Sequence, residues 1–94
     1  PGAVFVTTDR AAMGVIHRLL ARGVRVPDDI AVVGYDDIPF AACAQVPLTT
    51  VAIPMRRLGE RAAEILFERL DGVGPPERQQ VLLPPELVIR ASSP

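Results

Sequence analysis

Apolar residues form continuous runs in some segments and recur at helical spacing in others, and each change of pattern marks a predicted element. Residues 3–7 (AVFVT) form a continuous apolar, β-branched run, which predicts a buried strand. From Arg10 the apolar residues recur at helical spacing, and Gly23 stands where glycine commonly follows a helix. A second apolar run, Ile30–Tyr35, predicts another strand. The order strand–helix–strand indicates a right-handed βαβ unit in a parallel sheet.

The second half of the chain is divided by prolines. Pro39 fits the first turn of a short helix, PFAACA, and Pro47 ends it. Residues 48–53 (LTTVAI) predict a strand, and Pro54 opens a long amphipathic helix that ends at Asp71. The remaining predictions are a connector at 72–80, short strands in "VLL" and "LVIR", and a frayed tail at 91–94. About five strands and two long helices indicate an α/β fold with too few helices to cover both sheet faces.

Composition narrows the class of protein. The chain has 94 residues, of which 49% are hydrophobic, so it is globular and forms one small domain at most. Its net charge is −1, and charges of both signs are interspersed, unlike a basic nucleic-acid surface. No apolar run is long enough to span a membrane. The chain starts with Pro-Gly, and we expect it to be a piece of a longer polypeptide.

Two adjacent acids, Asp36 and Asp37, follow the apolar run IAVVGY. Ligands of open α/β sheets bind beyond the carboxyl ends of the strands, where a carboxylate can accept hydrogen bonds from hydroxyl or N–H groups. The alternative is that Asp37 caps the helix at Pro39 and Asp36 is only solvated. We interpret Asp36 as a ligand group and Asp37 as the cap. Thr8 ends the neighbouring strand and could face the same ligand, whereas Asp9 is predicted to cap the first helix.

The sequence contains no recognisable catalytic or cofactor signature. His17 is the only histidine and has no partner at a catalytic spacing, so a surface or interface histidine is expected. Cys43 is expected to be a small buried or interface hydrophobe. Phosphate-loop and dinucleotide motifs are absent, and no group of residues has metal-ligand spacing. We therefore predict no catalytic residues, no metal and no cofactor.

Four segments in this order resemble one protein family: TTDRAAMG, GVRVPDDIAVVGYDD, PLTTVAIPMRRLGERAAEIL and LPPELVIRASS. They are similar to the C-terminal part of the LacI/GalR type of bacterial transcriptional regulators, over nearly the whole chain. The resemblance implies a parallel-sheet, periplasmic-binding-protein-like type I core, of which this chain is a C-terminal fragment. It implies that residues 1–50 and 80–90 belong to the C-terminal subdomain. It also implies that 51–72 belong to the N-terminal subdomain, 73–79 form a connector and 91–94 a tail.

The resemblance also implies roles for individual residues. Asp36 matches a position that commonly binds the effector, and Thr8 matches a position that is usually Asn and also faces it. The hydroxyl of Thr8 replaces an amide, which indicates a different ligand contact. Ile53 and Met55 match positions near the effector cleft. The positions that match the dimer interface of the family are Met13, Ile16, His17, Leu20, Phe40, Cys43 and Ala44.

The function implied by the resemblance is regulatory and not enzymatic. A small molecule, sugar or nucleoside-like, binds in the interdomain cleft and allosterically controls DNA binding by a headpiece that lies outside this chain. The expected partners are the effector, a second copy of the parent in a homodimer, and operator DNA through that headpiece, with no membrane and a cytoplasmic location. The alternative is a periplasmic sugar-binding protein of a transporter, which would share the fold and the cleft. An α/β enzyme is less favoured because no catalytic set is found.

Overall fold

The computed structural model describes residues 2–94, which divide into two compact units. The first unit contains residues 2–53 and 85–94, and the second contains residues 54–84. Pro1, which the predicted segment 1–50 includes, lies outside the described residues. The sequence predicted changes of subdomain at residues 51 and 80, whereas the compact units divide at residues 54 and 85. Whether the two units are parts of two subdomains stays a prediction.

The first unit is a four-stranded sheet with one long helix. Its strands are short, and a 3₁₀ helix lies between the second and the third. The elements are β1 (Ala3–Phe5), α1 (Asp9–Ala21), β2 (Ala31–Asp36), the 3₁₀ helix (Pro39–Cys43), β3 (Thr49–Ala52) and β4 (Glu86–Val88).

The sheet has the order β1-β2-β3-β4. The first three strands run parallel, and β4 is antiparallel to β3. Gly34 of β2 lies beside Thr50 of β3, which in turn pairs with Val88 of β4. The predicted parallel β1–α1–β2 unit and the α/β class are confirmed.

The core lies between α1 and one face of the sheet. Ala12 and Ile16 of α1 are buried and belong to one cluster with Val32 of β2. Gly34 leaves room for this contact, because a Cβ at this position would meet the Asp9 carboxylate and would lie 2.8 Å from Leu48 Cδ2. The helix therefore approaches β2 at a point where only hydrogen fits.

The first helix begins differently from the prediction. Thr8, not Asp9, is the N-cap, and its Oγ1 accepts a hydrogen bond from the Ala11 N–H at 3.2 Å. Asp9 is fully buried, and its carboxylate accepts from Thr50 Oγ1 at 2.5 Å and from the Ile38 N–H at 2.9 Å. Asp9 is thus turned into the interior, and the capping position falls on Thr8. Gly23 follows the helix with a φ of 78°, as predicted.

The end of the chain is bound to the sheet, so the predicted frayed tail at 91–94 is wrong. Ser92 is fully buried. Its Oγ donates to Val32 O at 2.6 Å and accepts from the Thr49 N–H at 2.8 Å. Its backbone carbonyl accepts from the Val32 N–H, and its N–H donates to Pro47 O, both at 2.9 Å. Ser92 therefore connects the β2 and β3 segments.

The predicted strand in "VLL" is also wrong, and the described sheet has four strands where about five were predicted. Val81 and Leu82 are exposed and have no strand partner in the described part of the chain. Pro84 and Pro85, which follow, lack the N–H that a ladder needs, so β4 begins only at Glu86.

The second unit is built around α2 (Met55–Leu70). On its polar face Arg56 Nε donates to Glu60 Oε1 at 3.1 Å. No residue of α2 is buried, and several apolar side chains of this helix are exposed: Met55, Leu58, Leu66, Phe67 and Leu70.

Gly34→Ala is expected to lower the free energy of unfolding by about 1–3 kcal/mol, because the added methyl group overfills a close-packed contact. Urea unfolding followed by circular dichroism measures this change. Gly14→Ala is the matched control, since Gly14 lies within α1 with nothing within 4 Å of an added Cβ. It should instead stabilise the chain by up to about 1 kcal/mol. Equal stability of Gly34→Ala and the parent chain would contradict the packing described above.

Ser92→Ala is expected to cost about 1–3 kcal/mol in urea unfolding, because the buried Thr49 N–H loses its acceptor. Ser93→Ala is the control, since the Ser93 hydroxyl makes no hydrogen bond within residues 2–94. Its effect should stay within about 0.5 kcal/mol. Similar effects of the two changes would show that Ser92 does not hold the strands together.

Asp29 provides a pH-dependent contact. Hydrogen bonds from the side chain and then from the backbone N–H of Arg25 lower the pKa of Asp29 from 3.8 to about 2. Because this pKa is lowered in the folded state, the contact stabilises the fold above the ordinary carboxyl pKa, and the stabilisation is lost as the pH falls towards about 2. Carbon NMR of the Asp29 carboxyl should show this low midpoint. Arg25→Gln should return it towards 3.8, and a normal midpoint in the parent chain would contradict the contact.

Candidate functional site

The three parallel strands end at the same edge of the sheet, which we call the carboxyl edge. Asp36 is the last residue of β2, Thr8 follows β1, and Ile53 follows β3. Asp36 pairs in register with Ala52, the residue directly before Ile53. The first unit therefore brings three of the four predicted effector-binding residues to one edge.

Asp36 has an unusual backbone conformation and a carboxylate without a hydrogen-bond partner in residues 2–94. Its φ is 122°, which is rare for a residue with a side chain. The residue is half-buried, and its carboxylate makes no hydrogen bond to any group in residues 2–94. A carboxylate in this state can accept hydrogen bonds from two neighbouring hydroxyl or N–H groups. A role in binding the effector stays a prediction.

Asp37 does not cap the short helix as predicted. The 3₁₀ helix has Ile38 at its N-cap and receives no side-chain cap hydrogen bond. Asp37 Oδ1 instead accepts from Arg90 Nη1 at 2.8 Å. The Arg90 guanidinium comes from the residues after β4, so a long-range ion pair replaces the predicted local contact. Sequence spacing gave no sign of it, since the partners are 53 positions apart.

The other predicted effector-binding residues differ in how they are placed. Thr8 is exposed, and although its oxygen caps α1, its hydroxyl hydrogen is still able to donate. Ile53 is half-buried. Met55 is the first residue of α2, is 63% exposed and belongs to the second unit.

Two aromatic side chains at the carboxyl edge were missed. Phe5, Thr7 and Tyr35 line a small depression at the ends of β1 and β2. The Phe5 and Tyr35 rings meet edge to face, with centroids 6.4 Å apart and planes at 80°. The Phe5 ring is 59% exposed. Strand alternation could have indicated this pair, because Phe5 lies beside Val33 and Tyr35 is two residues further along β2.

The residues predicted for a dimer interface fall into two groups. Ile16 is 3% exposed and belongs to the core, so its side chain is not free for a partner. Met13 and Leu20 are half-buried against the same core. His17, Phe40 and Cys43 are exposed, so the expectation that Cys43 could be buried is wrong. Residues of α1 and of the segment after the 3₁₀ helix line one surface depression: Met13, Ile16, His17, Ala44, Gln45 and Val46.

The described residues contain neither a metal-binding cluster nor a helix suited to span a membrane. In residues 2–94 no group of three or more His, Cys, Asp or Glu side chains is arranged to hold a metal ion. Neither helix in this part of the chain combines the length and the apolar character that crossing a membrane requires.

Comparison with known proteins places the chain in a family. Residues 1–93 match the family model of the periplasmic binding protein-like domain. The chain is 49% identical over 92 residues to the HTH-type transcriptional repressor PurR of Photobacterium profundum, covering 98% of this chain and 27% of the repressor. The chain thus spans about a quarter of the length of the curated relatives it matches.

Solved structures of LacI-type regulators also align with nearly the whole chain. A LacI family transcriptional regulator from Lactobacillus casei with bound glucose aligns with a TM-score of 0.84 at 47% identity, over 99% of this chain and 32% of that one. The lac repressor dimer bound to operator and the anti-inducer ONPF aligns with a TM-score of 0.90 at 35% identity, over 99% and 32% of the two chains. These matches confirm the fold and the resemblance predicted from the sequence. The chain belongs to the periplasmic binding protein-like domain family, and the relatives and solved structures named above are LacI-type transcriptional regulators.

Proposed function

We propose that this chain is the C-terminal part of the effector-binding core of a LacI-type transcriptional repressor. Its ligand is a small molecule of the sugar or nucleoside-like class, bound at the carboxyl edge of the sheet. The observation that carries the proposal is the Asp36 carboxylate, which ends β2 at this edge and makes no hydrogen bond within residues 2–94. The glucose bound by the Lactobacillus casei regulator supports a ligand rich in hydroxyl groups.

The residues of the carboxyl edge suit such a ligand chemically. Asp36 accepts hydrogen bonds from two adjacent ligand hydroxyls, and the Thr8 hydroxyl donates one. Hydrogen bonds to a charged group are stronger than those between neutral groups, so Asp36 contributes most of the polar recognition. The exposed Phe5 ring, held edge to face by Tyr35, offers an apolar surface to one side of a sugar or base.

Binding acts through a difference in affinity between conformations. An effector changes DNA binding only if it binds two arrangements of the regulator with different affinity. The chain passes between its two compact units at residues 53–54 and again at 84–85. We propose that these two crossings absorb the change in backbone angles, as hinge residues do.

The partners follow from the same assignment. The parent regulator forms a homodimer, in which exposed residues such as His17, Phe40 and Cys43 take part, and it binds operator DNA through a headpiece outside this chain. It works in the cytoplasm, where the DNA is, without a cofactor. The lac repressor neighbour, a dimer bound to operator, supports this proposal. A periplasmic transport protein is not favoured, since the relatives are transcriptional repressors. An enzymatic function is not favoured for the same reason, because these repressors are not enzymes.

Asp36→Asn is expected to weaken effector binding about tenfold or more in a regulator that carries this chain as its C-terminal part. The reason is that charge-assisted hydrogen bonds contribute about 1.5–3 kcal/mol. Isothermal titration calorimetry with glucose and with adenosine measures the affinity. The control is Asp28→Asn, which removes an exposed carboxylate away from the carboxyl edge. Unchanged affinity of Asp36→Asn for a probe that the parent binds would refute the assignment of Asp36. Binding of neither probe by the parent would count against the ligand class.

A further inference from the structure

Arg90 lies two residues after β4 and connects three segments of the first unit. Its Nη1 donates to Asp37 Oδ1 at 2.8 Å and to Leu48 O at 3.0 Å. The Arg90 and Asp37 side chains are only 20% and 26% exposed, so water competes weakly for this ion pair. The Arg90 N–H donates to Thr49 Oγ1 at 2.8 Å, which fixes Arg90 itself to β3. Arg90 thus holds the segment after β2 against the start of β3.

The segment held by Arg90 has a strained backbone. Asp37 has a φ of 57°, in the left-handed region that Asp tolerates. Asp36 has a φ of 122°, far outside that region. A residue with a side chain keeps such a conformation only when the surrounding contacts fix it. The contacts around Asp36 and Asp37 must therefore define the direction of the chain at this point.

Two contacts fix the segment, and neither involves the Asp36 side chain. Arg90 holds the Asp37 carboxylate, and the Asp9 carboxylate accepts from the Ile38 N–H at 2.9 Å. Within residues 2–94, the Asp36 carboxylate has no hydrogen-bond partner of its own. The orientation of Asp36 is consequently set by its strand pairing with Ala52 and by the side-chain anchors on the two residues that follow it.

We propose that Arg90 is a positioning residue for effector binding. Through its ion pair with Asp37 it holds Asp36 in the orientation in which the Asp36 carboxylate accepts hydrogen bonds from the effector. Arg90 acts through Asp37 and does not touch the ligand. The Asp37 carboxylate is already paired with Arg90. Of the two adjacent acids, Asp36 is therefore the one whose carboxylate can accept hydrogen bonds from the ligand. This inference rests on the function proposed above.

The first test needs no ligand. The three-bond coupling between amide and α protons reports φ, and it can be measured for Asp36 and Asp37 by NMR of the 94-residue chain. Arg90→Gln should change both couplings, because the backbone relaxes when the anchor is lost. Arg25→Gln is the matched control, since it breaks the exposed Arg25–Asp29 pair and should leave both couplings unchanged. Asp37→Asn, which tolerates the same backbone but removes the charge, should reproduce the effect of Arg90→Gln. Unchanged Asp36 couplings in both variants would overturn the proposal.

The second test measures binding in a regulator that carries this chain, with whichever of glucose and adenosine the parent binds. Arg90→Gln should raise the Kd about tenfold, and Arg90→Lys, which keeps the charge, should recover part of the affinity. Ser92→Ala is the structural control, because it removes hydrogen bonds to β2 and β3 without touching Asp37. It should lower the melting temperature and leave the Kd unchanged.

The outcomes separate the two proposals. Equal losses of affinity in Arg90→Gln and Ser92→Ala would show that Arg90 affects binding only by stabilising the fold. That result would overturn the inference. Asp36→Asn without effect on the Kd, together with altered Asp36 couplings in Arg90→Gln, would refute the proposed effector contact and leave the positioning geometry intact. If the parent binds neither probe, the couplings alone decide whether Arg90 orients Asp36.

Discussion

Asp9 carries a fully buried carboxylate, and the arrangement of the first unit depends on its two hydrogen bonds. One oxygen accepts from the Thr50 hydroxyl in β3, and the other accepts from the Ile38 N–H after β2. A buried acid is costly unless it is hydrogen-bonded, and its place in the first turn of α1 adds the favourable field of the helix N-terminus. The same group therefore fixes the helix on the sheet and the direction in which the chain leaves β2.

Gly34 and the last residues of the chain complete this arrangement. Gly34 makes room for the Asp9 carboxylate above β2, since a side chain there would occupy the space of that group. Ser92 bonds to Val32 and Thr49, and Arg90 bonds to Leu48 and Asp37. Residues far apart in the chain thus meet at β2 and β3, and of these contacts the Arg90–Asp37 pair reaches the residue directly after β2 at the carboxyl edge.

The sequence predicted the elements that depend on local pattern. The apolar runs at β1 and β2, the helical spacing of α1 and the glycine at position 23 all have short-range causes, and the structure confirms them. The errors have long-range causes. Asp9 is an acid before a helix and looks like an N-cap, but its partner Thr50 is 41 positions away. Asp37 looks like a cap for the same reason, and the tail looked frayed because Ser92 bonds to residues of β2 and β3 that no local pattern reveals.

The three aspartates near the carboxyl edge have different roles, and the difference lies in their partners and not in their chemistry. Asp9 is buried and bonded on both oxygens, and Asp37 is paired with Arg90, whereas Asp36 has no partner in the described residues. In residues 2–94 no buried side-chain polar atom lacks a hydrogen bond, so the fold satisfies its polar groups elsewhere. Asp36 combines a strained φ with an available carboxylate, and strain kept at one position while the surroundings are fully bonded is typical of a binding site. A local pattern of two adjacent acids could suggest a ligand, but only the contacts of Asp9 and Arg90 explain why Asp36 is the acid left without a partner in residues 2–94.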